Sequence, residues 1–339
     1  MWHSVTGSRR TIMNILVCDD SIIARKSIIG RIAPSANITI HQAEHGKQAL
    51  DVMQEHNIDL LFLDLTMPVM DGFEVLASMP VRPHPTHIVV VSGDIQAEAK
   101  SRCADLGADD FIEKPFVTSD ITTLFDKFAI PLRQTDVRPT HQGRKPIDLM
   151  AAIRELSNIA LGASAALISQ QMGRFIEMPL PNVASLHQSE LTMTVQDIVN
   201  SSQSRAVSQR FVGNGINGEA LVCLHGSGFE LLASSDDDEG ASSVNEVILD
   251  LSNLLVSSFL NSFSKQLDIA ISLRQPIVLE KDFLQVSLSC DQFLKGYEQD
   301  IFTIEFVYKA ENLDIACDII FLMDYESVNA IEDILESVL

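Results

Sequence analysis

Leu60-Leu61-Phe62-Leu63-Asp64-Leu65-Thr66-Met67-Pro68 is the stretch on which the fold turns. Four consecutive apolar residues, then an acid and a proline-containing loop, read as a strand buried on both faces that ends in a carboxylate. Working outward, residues 15–18, 38–41, 88–91 and 111–112 read as further strands. Residues 21–32, 47–56, 72–78 and 95–106 between them show helical spacing. Strands alternating with helices in this way predict an α/β domain: a doubly wound, five-stranded parallel sheet with helices on both faces and right-handed crossovers.

In an open parallel sheet, chemistry gathers at the carboxyl ends of the strands. The sequence puts Asp19 and Asp20 after the first strand, Asp64 after the third, Ser92 after the fourth, and Lys114 with Pro115 after the fifth. Three carboxylates converging on one edge repel each other unless a cation sits among them, and all-oxygen ligands suit Mg²⁺. A carboxylate can attack phosphorus to give an aspartyl phosphate. That step asks for charge neutralisation, which a metal ion and the Lys114 ammonium would supply, with Ser92 donating to a phosphoryl oxygen. His41 and His45 have the spacing of a ligand pair but straddle a strand end and Gly46, so no metal role is expected of them.

Residues 14–130 resemble a CheY-type response regulator receiver, flavodoxin-like in fold, through Asp19-Asp20, Asp64-Leu-Thr-Met-Pro68, Asp71-Gly72, Val91-Ser92-Gly93 and Glu113-Lys114-Pro115-Phe116. The resemblance implies that Asp64 is phosphorylated by a sensor histidine kinase. It also implies that Asp20, Asp64 and the Thr66 carbonyl bind Mg²⁺, with Asp19 helping through water. Ser92 and Phe111 would be the switch pair and Lys114 the phosphate sensor. Phe111 stands where many receivers carry Tyr.

Residues 1–13 are expected to be a disordered extension and 131–146, with three prolines, a linker to a second domain at 147–339. Residues 1–145 hold 15 Lys+Arg against 18 Asp+Glu, a net of −3; the rest holds 9 against 28, a net of −19. Nucleic acid phosphates would repel so acidic an output domain, so a DNA-binding role is not expected. Cys18, Cys103, Cys223, Cys290 and Cys317 are scattered without a Cys-x-x-Cys, as expected of reduced thiols in a cytoplasmic protein. No run of residues is apolar enough to suggest membrane insertion.

The second domain carries an internal repeat. Glu155-Leu-Ser-Asn158 recurs as Asp250-Leu-Ser-Asn253; a small residue follows each Asn (Gly162, Ser257), then a proline (Pro181, Pro276), all at an offset of 95 residues. The acidic run at 236–239 separates the halves, about 147–240 and 243–339, and Ser243 with Glu246 forms a capping box at the second helix start. Residues 210–225, 302–308 and 315–323 have strand character, so the domain is expected to be a pseudo-twofold, duplicated α+β fold. At roughly 100° per residue, each acid, Asn and small residue share one helix face, with Ile153, Leu156, Ala160 and Leu167, or Ile248, Leu251 and Leu255, opposite. The acid–Asn faces are therefore expected to point outward. Asn is a poor mid-helix residue, and placing it twice suggests work for its carboxamide.

This pattern resembles the CheC/CheX/FliY family of phosphatases, which hydrolyse phosphorylated CheY-type receivers. The resemblance implies that Glu155 and Asp250 pair with the lysine of a docked receiver and that Asn158 and Asn253 orient the attacking water. Asp250 is one methylene shorter than Glu155, so its reach is expected to be the poorer. Ala151 and Glu246 stand where the family often has Asp or Ser. The other reading is a catalytically silent binding module whose surface depends on phosphorylation of Asp64.

Overall fold

Five parallel strands, ordered β2-β1-β3-β4-β5, form the first sheet of this computed structural model: β1 (Met13–Cys18), β2 (Ile38–Ala43), β3 (Leu60–Leu63), β4 (His87–Ser92) and β5 (Asp110–Glu113). The structure describes residues 13–33, 37–79, 86–116, 118–128, 130–131, 148–187, 190, 193, 205–226, 244–279, 301–310 and 314–338. Residues 1–12, most of the 131–146 segment, the acidic run at 236–239, Ser243 and Cys290 lie outside them. The described residues fall into two units, one within 1–92 and 99–145, the other within 93–98 and 146–339.

In the first unit the strands alternate with α1 (Ile22–Ile29), α2 (Gly46–Glu55), α3 (Gly72–Ser78), α4 (Ala97–Asp105) and α5 (Thr118–Lys127). Successive strand residues point to opposite faces. Leu16, Cys18, Leu61, Leu63, Ile88 and Val90 therefore enter one core, and Ile15, Val17, Leu60, Phe62, Val89 and Val91 the other. Both faces are buried, which is why these strands read as unbroken apolar runs. Helix α1 starts one residue later than its periodicity suggests because Ser21 is its cap, its hydroxyl accepting from the Ala24 N–H at 3.2 Å.

The second unit is built from α6 (Leu149–Met172), β6 (Ile176–Glu177), β7 (Asn182–Leu186), β8 (Arg205–Gly213) and β9 (Ile216–His225). There follow α7 (Val244–Gln266), β10 (Ser272–Leu273), β11 (Ile277–Leu279), β12 (Ile301–Ala310), β13 (Ala316–Met323) and α8 (Tyr325–Val338). Its sheet runs β10-β8-β9-β13-β12-β6, with β11 also on β8 and β7 also on β12, and every pairing is antiparallel. About the central β9–β13 pair the order is the same read from either end. The short strands cross over: β6 and β7 pair with β12 of the second half, β10 and β11 with β8 of the first. Residues 210–225, read as a single strand region, are the hairpin β8–β9, turned by Asn214 (φ 51°) and Gly215 (φ 80°).

Helices α6 and α7 pack beside each other on this sheet, and the Gln266 amide donates to the Leu156 carbonyl at 3.0 Å. Phe259 of α7 stacks on Phe321 of β13 at 4.6 Å and lies 5.1 Å from Phe306 of β12. By length and hydropathy Leu149–Met172 and Asn245–Gln266 would suffice to cross a bilayer, so the expectation that no segment would do so does not hold on that measure. Here they occupy the place of core helices, with 61% and 50% of their most apolar windows buried.

Helix α7 presents its faces as expected, with Ile248 and Leu255 buried and Asp250 and Asn253 exposed. Helix α6 does not. Asn158 and Gly162 are buried, and Leu167, expected inside, is half exposed. The backbone of residues 93 and 94, which belong to this unit, lies against Asn158 and Gly162, so closely that a Cβ on Gly162 would meet the Gly93 carbonyl; the helix therefore buries more than one stripe.

Candidate functional site

The loops after β1, β3 and β5 bring Asp19, Asp20, Asp64 and Lys114 together. One carboxylate oxygen from each of the three acids lies within 4.8 Å of the others. Lys114 Nζ donates to Asp19 Oδ2 at 2.6 Å and stands 3.1 Å from Asp64 Oδ1. Asp19 Oδ1 accepts from the Ser21 N–H at 2.9 Å, and Asp64 Oδ2 from the Thr66 N–H at 3.2 Å. Asp19, Asp64 and Lys114 are buried, and Asp20 is partly exposed. Three carboxylates against one ammonium leave surplus negative charge among oxygen donors, which fits a hard divalent cation. Beneath them the Cys18 thiol is pushed well above its ordinary range by burial and then by Asp64 and Asp19, so it stays protonated and adds no charge.

Strand β5 is tied to β4 at this edge, the Lys114 N–H donating to the Ser92 carbonyl at 2.8 Å. Ser92 is fully buried at the end of β4. Phe111 lies opposite Val90 further down the strand, half-buried, with Lys100 Nζ 5.7 Å from its ring centre. His41 and His45 are apart in role: His41 packs on the His56 ring at 4.3 Å, while His45 caps α2.

Two supports of the site were not expected from sequence. Gly72, at the start of α3, runs so close to the loop after β3 that a Cβ there would lie 2.3 Å from the Asp64 carbonyl oxygen. Gly72→Ala should therefore displace the loop and cost about 1–3 kcal/mol, read as a lower melting temperature; a wild-type value would contradict it. Arg25 of α1 is buried, donating to the backbone carbonyls of Asp19 at 2.7 Å and Asp20 at 3.3 Å and to the side chains of Gln42 at 3.2 Å and Glu44 at 2.9 Å. A basic residue on the buried face of a short helix was its only signal. Arg25→Met should destabilise the fold by roughly 1–3 kcal/mol through unpaired acceptors, and loosen the acidic pair, seen as weaker Mg²⁺ binding by calorimetry. Unchanged values in both would refute this.

In the second unit, Glu155 is partly buried and Asn158 buried, whereas Asp250 and Asn253 are exposed. Asn253 Oδ1 accepts from Gln209 Nε2 at 2.8 Å. Pro181 and Pro276 each stand directly before the short strand of their half, β7 and β11.

Residues 15–126 match the model of the response regulator receiver domain family. The cell cycle response regulators CtrA of Brucella ovis and Brucella abortus are each 33% identical over 102 residues, which is 30% of this chain and 43% of theirs. The chain thus spans 43% of the length of these curated relatives. Among solved structures, the response regulator domain of Thermotoga maritima CheB is 24% identical with a TM-score of 0.30, over 35% of this chain and 91% of that one. A chain of the CheX–CheY–BeF3–Mg complex of Borrelia burgdorferi is 28% identical with a TM-score of 0.32, over 34% of this chain and 89% of that one. With the acidic edge, the parallel sheet and the family match over the same residues, the N-terminal part of this chain is a response regulator receiver domain.

Proposed function

We propose that the chain is a two-component response regulator that accepts a phosphoryl group on Asp64 and passes the signal to a receiver-directed phosphatase in its C-terminal half. The observation that carries the first part is the meeting of Asp19, Asp20, Asp64 and Lys114 at one sheet edge. Asp64 would attack the phosphorus of a phosphohistidine on a sensor kinase. Mg²⁺, held by Asp20, Asp64 and the Thr66 carbonyl with Asp19 behind them, would neutralise charge on the phosphoryl oxygens. Lys114 would exchange part of its pairing with Asp64 for the new phosphoryl group, and Ser92 with Phe111 would report the change. Mass spectrometry of the full chain after incubation with acetyl phosphate, with and without Mg²⁺, tests this.

The phosphatase reading is supported by the repeated acid-x-x-Asn segments at equivalent places on α6 and α7, and by the matching prolines. In it, the acid pairs with a docked receiver's lysine, and the Asn positions water in line with phosphorus. Positioning alone can supply much of such a barrier reduction. Burial of Asn158 takes the first copy out of reach of a docked receiver, and a domain that does not hydrolyse is the second reading. Phosphate release from a separate phosphorylated CheY-type receiver, with the full chain added, separates the two.

A further inference from the structure

The two halves of the second unit differ where their symmetry would demand sameness, and the difference falls beside an acid–Asn pair. We propose that Gln209 is a positioning residue for Asn253, and that the Asp250/Asn253 face of α7 is the principal hydrolytic site. This rests on the phosphatase reading and reverses the order of the two sites expected from side-chain length.

Strand β8 sends Val207, Gln209 and Phe211 toward the helices; Phe211 packs edge-on against Phe321, which in turn stacks on Phe259 of α7. Gln209 is thus a polar side chain in an apolar layer, and only 1% exposed. Its Nε2 donates to Asn253 Oδ1 at 2.8 Å and to the Arg274 carbonyl at 2.9 Å, while its Oε1 is buried with no hydrogen-bond partner among the described residues. Burying an amide with one end unsatisfied costs stability that an apolar residue would not. The other half makes the cheaper choice: with β11 and β7 matched through the prolines before them, the β12 counterpart of Gln209 is Phe306, 2% exposed.

What Gln209 does is fix a carboxamide. With Oδ1 held as an acceptor, the Asn253 amide has one orientation, and its N–H donors are the end left for a ligand. Asn253 and Asp250 are both exposed on the same helix face, so a partner could reach them together. Asn158 has neither property: it is 7% exposed, and its Oδ1 is buried without a hydrogen-bond partner among the described residues.

The reaction served is hydrolysis of an aspartyl phosphate on another receiver. Water, its oxygen accepting from Asn253, attacks phosphorus; the new P–O bond forms as the bond to the aspartyl oxygen breaks. The electron pair returns to the carboxylate, and the water proton leaves with inorganic phosphate. The orientation entropy of the amide is lost in folding and not at the barrier.

The test uses the full chain and a separate phosphorylated CheY-type receiver, measuring phosphate release against receiver concentration. Gln209→Met keeps length and burial but cannot donate; Gln209→Leu is a second apolar side chain of similar volume and covers the case in which Met packs poorly. Both should lower kcat about tenfold with KM and melting temperature held, because docking through Asp250 is untouched. Asn253→Ala should cost at least tenfold more than Asn158→Ala. Wild-type kcat in both Gln209 variants, or a larger loss in Asn158→Ala, would overturn the inference while leaving the phosphatase reading standing. No acceleration by the wild-type chain would overturn that reading and the inference with it.

Discussion

The Asp64→Ala chain will take up no phosphoryl group from acetyl phosphate, at any Mg²⁺ concentration that supports uptake by the wild type. The neighbouring acids cannot stand in. Asp19 has both oxygens committed, one to the Ser21 N–H at 2.9 Å and one to Lys114 at 2.6 Å. Asp20 has its backbone carbonyl held by the Arg25 guanidinium, and its proposed role is to hold Mg²⁺. Asp19→Ala, by contrast, should slow uptake without stopping it, since it removes a support and not the nucleophile. The loss in Asp64→Ala should not come from unfolding. Removing one of three close carboxylates relieves repulsion, so its melting temperature should match or exceed the wild type's. Phosphorylation retained in Asp64→Ala, located by peptide mapping to any other residue, would remove the receiver chemistry proposed for this edge.

The second large effect is expected in trans. The full chain should shorten the lifetime of a phosphorylated CheY-type receiver, and the Asn158→Ala/Asn253→Ala double variant should lose roughly tenfold to a thousandfold of that acceleration. The chain's own phospho-Asp64 should decay at similar rates in wild type and double variant, because an input erased by its own output could not accumulate. Equal action of wild type and double variant on the separate receiver would leave a binding module. A phospho-Asp64 lifetime restored by the double variant would show that the chain acts on itself.

Much of the first unit is legible because its strands are buried on both faces, so that sequences such as Leu60-Leu-Phe-Leu63 carry the fold without help from partners. Its acidic edge is legible for a related reason: polar residues directly after such runs must sit at strand ends. Arg25 was missed because one basic residue on a short helix looks like a solvated one; its acceptors include Gln42 and Glu44, from another strand and loop. The β8–β9 hairpin is hard to read although Asn214-Gly215 is a strong turn signal, because β8, with Arg205, Ser208, Gln209 and Arg210, does not alternate cleanly between apolar and polar residues. Gln209 could have been noticed as a polar residue at an inward position of that strand. Its partners, Asn253 and the Arg274 carbonyl, lie 44 and 65 residues away, and only the folded chain joins them.

The crossing of the short strands bears on how the second unit comes to be folded at all. Since β6 and β7 complete the edge beside β12, and β10 and β11 the edge beside β8, each half lends its partner the strands that close its sheet. A newly made first half therefore has nowhere to place β7 until β12 exists, more than a hundred residues later, as the Ile301↔Leu186 pairing requires. Folding is thereby tied to contacts distant in sequence, which favours slow, all-or-none acquisition over stepwise growth. The same interlocking makes a lone half a sheet with open edges, inclined to borrow strands from a second copy.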